Sequence, residues 1–205
     1  MTRMPASQRR EAIIAASQKV LLAKGLMAAT TRDVTEELGV GVGLLSHYFS
    51  WTDLRSLAFA RIAQADLDSA IRQRCDVEAS QVLRDVIATA FAESADPVWR
   101  LWIEATELAA ADPSMSRVVA ACTDQWWQAL AGLFERGCVE SAWSCGDPQG
   151  ASWRIIALLQ GLAGLTLAGD PRLTRAEATR HLTIAMEREY QALAGSPALS
   201  QTNRR

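Results

Sequence analysis

The sequence predicts an all-α fold in which an N-terminal three-helix bundle is joined by a linker helix to a larger C-terminal helical part. Apolar residues recur at helical spacing along most of the chain, capping residues mark several helix ends, and no alternating pattern typical of strands competes with them. The 205 residues are 49% hydrophobic and 21% charged, which is ordinary for a globular protein. This composition excludes collagen-like and broadly disordered chains.

Two helices are predicted near the N-terminus. The first runs from Ser7 to Lys24 and ends before Gly25, a residue that often caps helices at their C-terminus. The second is short: Thr30 stands three residues before Asp33, in the spacing of a capping box, and Gly39 closes the helix after about two turns.

A third short helix over 42–48 is predicted to follow a tight glycine-containing turn, which together with the second helix makes a helix-turn-helix pattern. A long apolar pattern then predicts a linker helix from Thr52 to Arg74. Proline-containing breaks separate five further predicted helices, and the polar residues 196–205 are expected to fray. These five helices are expected over 79–94, 97–111, 114–141, 150–168 and 174–194.

Charge is distributed unevenly between the two parts. Residues 1–61 carry eight Lys and Arg against five Asp and Glu, whereas residues 62–205 carry thirteen against eighteen. Only the first part has a positive surplus, so it is the part suited to an anionic partner such as nucleic acid.

Several classes of function are not expected. The four cysteines include no Cys-x-x-Cys pair, so we predict no metal site and no cofactor. An enzyme is not expected, because no nucleophile, phosphate-loop or dinucleotide motif occurs and the one carboxylate pair, Glu104 and Glu107, lacks a neighbouring base. The longest apolar run, Ile155 to Gly169, is too short to span a membrane, and a secretory signal is missing, which predicts a cytoplasmic protein without a membrane partner.

Residues 30–49, TTRDVTEELGVGVGLLSHYF, resemble the DNA-binding unit of the tetracycline-repressor (TetR) family of bacterial transcriptional regulators. The segment GLLSHYF at 43–49 is most similar to the BetI-like subgroup, as is LLQGLAGLTLAGDPRLTRAEA at 158–178. The resemblance implies a repressor that binds an operator in double-stranded DNA as a homodimer and responds to a small-molecule effector. It implies a DNA-binding domain over 1–51 and a regulatory and dimerisation domain over 52–205, with the linker helix at 52–74.

The sequence departs from the family at two places that usually contact phosphate. Gly41 stands where the family usually has Ser or Thr, and Thr52 stands near the position of a usual Lys. Gly retains the backbone geometry of a helix cap but lacks the hydroxyl. A helical protein-interaction module that binds no specific DNA is therefore kept as the alternative function.

The DNA contacts are predicted from the helix-turn-helix. The first residues of the third helix are apolar, so they would read thymine methyl groups and approach the bases closely, while His47 and Tyr48 would contact phosphate or a flanking base. Leu45 and Phe49 are predicted to lie in the core. The predicted DNA-binding residues are Arg10, Thr30, Arg32, Val42, Gly43, Leu44, His47 and Tyr48.

Two sets of residues in the C-terminal part are candidates for ligand binding and dimerisation. Six of the seven tryptophans lie there, and they either pack the core or line an effector cavity for an apolar, aromatic or cationic molecule. The predicted ligand-binding residues are Trp99, Trp102, Thr106, Glu107 and Trp126. A stripe of small residues, for which we favour a dimer interface over an intramolecular contact, consists of Ala157, Gly161, Gly164 and Ala168.

Overall fold

The computed structural model describes residues 5–41 and 43–192, and among these it contains nine α-helices. The prediction of an all-α fold is confirmed. A π-helical turn, Asp68–Arg72, continues α4, and a 3-10 turn, Glu93–Ala95, precedes α6. The helices are α1 Ala6–Lys24, α2 Thr31–Leu38, α3 Gly43–Ser46, α4 Trp51–Leu67, α5 Ala79–Thr89, α6 Asp96–Ala109, α7 Pro113–Val139, α8 Pro148–Leu167 and α9 Arg175–Glu189.

The first two helices begin and end close to where the sequence predicts. Helix α1 ends at Gly25, whose φ of 86° is accessible to glycine at little cost and whose amide donates to the carbonyl of Leu21. Helix α2 has Thr30 as its N-cap and Gly39 in the left-handed region as its C-cap. Local capping chemistry therefore determines both boundaries.

The third helix is shorter than predicted. Helix α3 ends at Ser46 instead of Tyr48 because the amides of His47 and Tyr48 donate to carbonyls three residues back, at 3.3 and 2.9 Å. The hydroxyl of Ser46 also donates to the carbonyl of Gly43 at 3.1 Å, within the same turn. Val42, which was predicted to start this helix, lies outside the described residues.

Each of the later helices also ends before its predicted end: α6, α7 and α8 end one or two residues early, and α4, α5 and α9 end earlier by more. The α-helical part of the linker stops at Leu67 instead of Arg74, where the π-helical turn takes over, and α5 stops at Thr89. Helix α9 ends at Glu189 because Tyr190 is extended, with φ −135° and ψ 155°. Residues 193–205, which include the segment expected to fray, lie outside the described part of the chain.

A small antiparallel strand pair was not predicted. Strand β1, Trp143–Ser144, pairs with β2, Gln191–Ala192, so that Trp143 faces Ala192 in register. The indole N–H of Trp143 donates to the carbonyl of Phe134 at 3.0 Å. Its ring lies so close to Gly137 that a Cβ at that position would be 2.0 Å away. Gly137 therefore gives the Trp143 ring room against α7, and the ring fixes the position of β1.

The described residues form two compact units. Of the described residues, the first unit comprises 5–41, 43–65 and 100–122, and the second comprises 66–99 and 123–192. The two units are defined by packing alone. The predicted boundary between a DNA-binding domain that ends at residue 51 and a regulatory domain that begins at residue 52 is a functional boundary, and it stays a prediction. The largest fully buried side chains of the first unit are Ile13, Leu21, Leu26, Leu45, Leu54, Phe59, Leu101 and Met115. Those of the second are Leu67, Leu83, Phe134 and Ile155.

Helix α8 is the most apolar helix of the second unit. Within the described part of the chain it is the one helix that would by length and composition be able to cross a membrane, because it has 20 residues and contains an 18-residue window with a mean hydropathy of 1.2. The apolar run that begins at Ile155 makes up only part of this helix, and the expectation that the protein has no membrane-spanning segment stays a prediction. One face of α8 carries Ile155, Leu159 and Leu162, all of which are buried in the second unit's hydrophobic core.

Candidate functional site

The N-terminus of α2 is held by a reciprocal capping box. The Thr30 hydroxyl accepts from the Asp33 amide at 3.3 Å, and the Asp33 carboxylate accepts from the Thr30 amide at 2.8 Å. Lys24, at the end of α1, donates to the same carboxylate at 2.5 Å. Chiefly because of this Lys24 contact, together with the Thr30 bonds, the pKa of Asp33 is lowered to about 2. Helix α2 is thus fixed to α1 at its first turn.

Helix α3 presents one buried and one accessible side. Leu45 is only 2% exposed, which confirms the prediction that it belongs to the core. Gly43 and His47 are exposed and Leu44 is half-buried, so all three are at least partly accessible to solvent, and their predicted contacts with DNA stay predictions. Tyr48 and Phe49 are both half-buried, in place of the one buried and one exposed ring that the sequence predicts.

Arg10 is occupied by protein partners. Its Nη1 donates to the carbonyl of Tyr48 at 3.0 Å, and its guanidinium carbon lies 4.2 Å from the centroid of the Phe49 ring. Such a cation–π contact, combined with a hydrogen bond, orients a guanidinium firmly. Arg10 therefore links the start of α1 to the residues that follow α3. Its predicted contact with DNA stays a prediction.

Arg32 and Thr30 differ in how free they are to reach DNA. The Arg32 side chain is 79% exposed and pairs with Glu36, one turn further along α2, at 2.9 Å. Exposed pairs of this spacing are weak, so the Arg32 guanidinium is available for a phosphate. The Thr30 hydroxyl accepts from the Asp33 amide and donates to the Asp33 carboxylate at 2.7 Å, and the Thr30 amide donates to the same carboxylate, so both donors of Thr30 are already bonded and its predicted contact with DNA stays a prediction.

The start of α4 uses a serine cap where the family usually offers a lysine. Ser50 Oγ accepts from the Asp53 amide at 3.1 Å and donates to the Asp53 carboxylate at 2.7 Å. Thr52 is exposed beside it and carries no charge. Among the described side chains at this helix start, the charged group is therefore the Asp53 carboxylate instead of a lysine ammonium group. A carboxylate does not attract phosphate.

One residue near the helix-turn-helix, Glu104, was not predicted from the sequence. Glu104 of α6 accepts hydrogen bonds from two consecutive backbone amides, those of Leu26 and Met27, in the turn between α1 and α2. The sequence offers no signal for this contact, because a Glu on a helix is usually solvated and 77 residues separate Met27 from Glu104. Glu107, which was predicted to bind the ligand, is exposed, and its role stays a prediction.

The predicted ligand-binding residues fall into both compact units. In the first unit, Trp102 is 6% exposed and packs edge-to-face on Phe59 with ring centroids 5.2 Å apart, while Thr106 is exposed and donates to the Trp102 carbonyl at 2.9 Å. In the second unit, the indole N–H of Trp99 donates to the carbonyl of Ala90 at 2.6 Å. Trp126 is half-buried, and its indole nitrogen is buried without a hydrogen-bond partner.

The predicted dimerisation stripe lies on an accessible face of α8. Ala157, Gly161 and Ala168 are exposed and Gly164 is half-buried, and a Cβ added at Gly161 would meet no atom within 4 Å. Large apolar side chains border this stripe: Trp153 is 51% exposed and Leu165 is 52% exposed. Trp153 also stacks on Trp127 of α7, with ring centroids 5.8 Å apart.

Metal-ligating residues are dispersed. Among residues 5–41 and 43–192, no group of three or more His, Cys, Asp or Glu side chains could hold a metal ion. All four cysteines are free thiols: Cys122 is buried, Cys138 and Cys145 are half-buried, and Cys75 is exposed. The absence of a metal and of a cofactor stays a prediction.

A capped helix, a tight turn and a short helix with an accessible side define a helix-turn-helix regulator of transcription. The comparisons identify its family. Residues 13–51 match "Bacterial regulatory proteins, tetR family", and residues 79–190 match "BetI-type transcriptional repressor, C-terminal". The chain belongs to the tetR family of bacterial regulatory proteins, with a C-terminal part of the BetI type.

Individual relatives agree with this assignment. Over 89 residues the chain is 33% identical to the HTH-type transcriptional regulator PksA of Bacillus subtilis (strain 168), a match that covers 40% of this chain and 43% of that protein. A transcriptional regulator from Saccharomonospora viridis, solved in complex with choline, has a TM-score of 0.76 at 19% identity, covering 90% of this chain and 98% of that one. A TetR-family regulator from Rhodococcus sp. has a TM-score of 0.74 at 23% identity, covering 89% and 98%. The two structures share the fold.

Proposed function

We propose that this regulator is an effector-responsive repressor that binds a pseudo-palindromic operator as a homodimer in the cytoplasm and catalyses no reaction. The observation that carries the proposal is the accessible side of α3, where Gly43 and His47 are exposed while Leu45 is buried. A helix that presents a small residue first can bring its backbone close to base edges in the major groove.

The proposed contacts with DNA are of two kinds: contacts with phosphates, which position the protein on the duplex, and contacts with bases, which recognise the sequence. Arg32 and the N-terminus of α2 would hold phosphates, because this guanidinium is exposed and the helix terminus attracts anions. Gly43, Leu44 and His47 would approach the bases, with Leu44 contacting a thymine methyl. Tyr48, which is half-buried and whose carbonyl accepts from Arg10, would contact a flanking phosphate through its hydroxyl.

A dimer is required on energetic grounds. Helix α3 has four residues and none of them offers a paired hydrogen-bond donor, so one recognition helix has too few contacts for a useful affinity. Two-fold symmetry doubles these contacts and explains why operators of such proteins are pseudo-palindromic. The exposed face of α8, with its small residues between Trp153 and Leu165, is the proposed dimer interface.

The proposed effector site is in the second unit, next to Trp126. Its buried indole N–H has no partner, and a buried donor without an acceptor costs about 1–3 kcal/mol. A ligand that supplies an acceptor there would remove this cost. The regulator from Saccharomonospora viridis was solved with choline, and aromatic rings suit quaternary ammonium ions, so choline is the first effector to test.

The experiment that tests the proposal is a selection of duplex DNA from a random pool by the purified protein, followed by mobility-shift titration at several salt concentrations. We expect an enriched sequence with two half-sites centred about 10 base pairs, or a multiple of this, apart. Choline is then added to the complex at increasing concentration. Failure to enrich any sequence, with binding that is equal for all duplexes, would contradict the proposal and favour a protein-interaction module.

A further inference from the structure

We infer that Glu104 of α6 is a positioning residue for operator binding, which it supports by holding the turn between α1 and α2 through two backbone amides. The inference rests on the proposed function, since it concerns the affinity for an operator. Glu104 touches no DNA in this role. It acts through the turn at Leu26 and Met27, and therefore through the start of α2.

The contact is specific in its geometry. One carboxylate oxygen, Oε2, accepts from the amide of Leu26 and, at 3.2 Å, from the amide of Met27. A backbone amide bound to a carboxylate makes a charge-assisted hydrogen bond, about twice as strong as a neutral one. Gly25 has a φ of 86°, and a Cβ there would lie 2.7 Å from both carboxylate oxygens. The turn approaches Glu104 this closely because residue 25 is a glycine.

The turn that Glu104 holds is continuous with the DNA-facing helices. Lys24, immediately before Gly25, donates to Asp33 in the first turn of α2 at 2.5 Å, and Leu26 is fully buried. In helix-turn-helix proteins the first helix of the motif crosses the DNA backbone, and its N-terminus faces phosphate. A displaced turn would therefore change the position of α2 on the DNA.

Two more contacts fasten α6 and the start of α7 within this same unit. Trp102 packs edge-to-face on Phe59 of α4. Arg55 of α4 pairs with Asp112, just before α7, at 3.3 Å, and both side chains are mostly shielded from solvent, at 16 and 17% exposure. Because α6 is thus held against α4, the Glu104 carboxylate has a fixed base from which to position the turn.

Electrostatics and positioning predict opposite effects for removal of this charge. DNA is a polyanion, so loss of a carboxylate near the helix-turn-helix would by charge alone strengthen binding. Loss of positioning would weaken it. Glu107, one turn further along α6, is exposed and carries the same charge without these backbone contacts. Glu107 is not part of the proposed effector site next to Trp126 and the DNA affinities are measured without effector, so Glu107→Ala is the matched control.

The test uses the full chain and the duplex that the wild-type protein itself selects. We compare Glu104→Ala, Glu104→Gln and Glu107→Ala by mobility shift, with the active fraction fixed by titration at saturating DNA. The affinity of Glu104→Ala should fall at least about fivefold, the affinity of Glu104→Gln should fall less because its carbonyl still accepts, and that of Glu107→Ala should be unchanged or higher. Amide exchange at Leu26 and Met27 should accelerate in Glu104→Ala.

The outcomes separate the two hypotheses. If the wild-type protein selects no sequence, the proposed function fails. If the wild type binds and a folded Glu104→Ala binds equally well, the inference is overturned. Should Glu104→Ala not fold, amide exchange of the wild type decides: operator binding should slow exchange at Leu26 and Met27, and unchanged exchange there would also overturn the inference.

Discussion

The guanidinium of Arg10 lies over the ring of Phe49, 4.2 Å from its centroid, and so connects the N-terminal part of α1 to the segment that follows α3. The same side chain donates to the Tyr48 carbonyl. Helix α3 is only four residues long and ends in a tight turn, so its own hydrogen bonds fix its direction weakly. Arg10 therefore stabilises the orientation of this turn from outside.

The first prediction separates orientation from phosphate binding at Arg10. Arg10→Lys keeps the charge and loses the planar group, whereas Arg10→Met loses both. If Arg10 orients the turn, both variants should weaken operator binding by about 1–2 kcal/mol with an unchanged dependence on salt. A phosphate contact would instead be kept by Lys, and Met would reduce the salt slope by about 1. Mobility shifts at several salt concentrations distinguish the two results.

The second prediction concerns Arg32, the exposed cation of α2. Arg32→Gln should weaken binding about equally for specific and non-specific duplexes and reduce the salt slope by about 1, because a phosphate contact carries no sequence information. The control is Glu36→Gln, which releases the same guanidinium and should leave the affinity equal or higher. An unchanged salt slope in Arg32→Gln would move the phosphate contact to another residue.

The third prediction follows from the lowered pKa of Asp33. This pKa, about 2, lies below the ordinary value of 3.8, so the ionised carboxylate stabilises the folded state fully above about pH 4. That stabilisation should be lost as the pH falls from about 4 to 2. An NMR titration of the Asp33 carboxyl should give a midpoint near 2, and Lys24→Met should raise it, because the Lys24 bond is its largest cause. A wild-type midpoint near 3.8 would contradict the capping arrangement.

The fourth prediction tests the proposed dimer interface. Gly161→Leu should leave the monomer folded, because nothing lies within 4 Å of the added Cβ, yet separate two packed helices. Overpacking costs about 1–3 kcal/mol, which would raise the dimer dissociation constant about 5- to 150-fold. Gly132→Leu on α7 is the matched control, since a Cβ there also meets nothing. Equal sedimentation of both variants as tight dimers would place the interface elsewhere.

The features that the sequence predicts are those determined by neighbouring residues. Thr30 and Asp33 are three positions apart, and Gly25 ends α1 by local backbone geometry. The capping box of α2 and the end of α1 could therefore both be predicted from the sequence. The contact of Glu104 with Met27 and the pairing of Trp143 with Ala192 join residues that are far apart in the chain. Nothing in the local pattern distinguishes Glu104 from a solvated carboxylate, because its role depends on where α6 packs.

The fifth prediction concerns the orphaned indole N–H of Trp126. Trp126→Phe removes the buried donor and retains an aromatic ring. Without effector, the free energy of unfolding should therefore be unchanged or higher, with an increase of at most about 3 kcal/mol. The variant should bind choline more weakly if the ligand satisfies this donor. The neighbouring residue Trp127 provides the control, because its indole N–H already donates to the carbonyl of Gln149. Trp127→Phe should keep the wild-type affinity for choline. Thermal unfolding and tryptophan fluorescence titration measure both quantities.

The reciprocal measurement completes this test. If choline lowers the affinity for the operator by some factor, the operator must lower the affinity for choline by the same factor, because the two are linked thermodynamically. A coupling of about 1–3 kcal/mol corresponds to a factor of about 5–150. In Trp126→Phe the operator affinity without choline should equal that of the wild type, whereas more choline should be needed to release the DNA. Wild-type release by choline in this variant would remove Trp126 from the effector site.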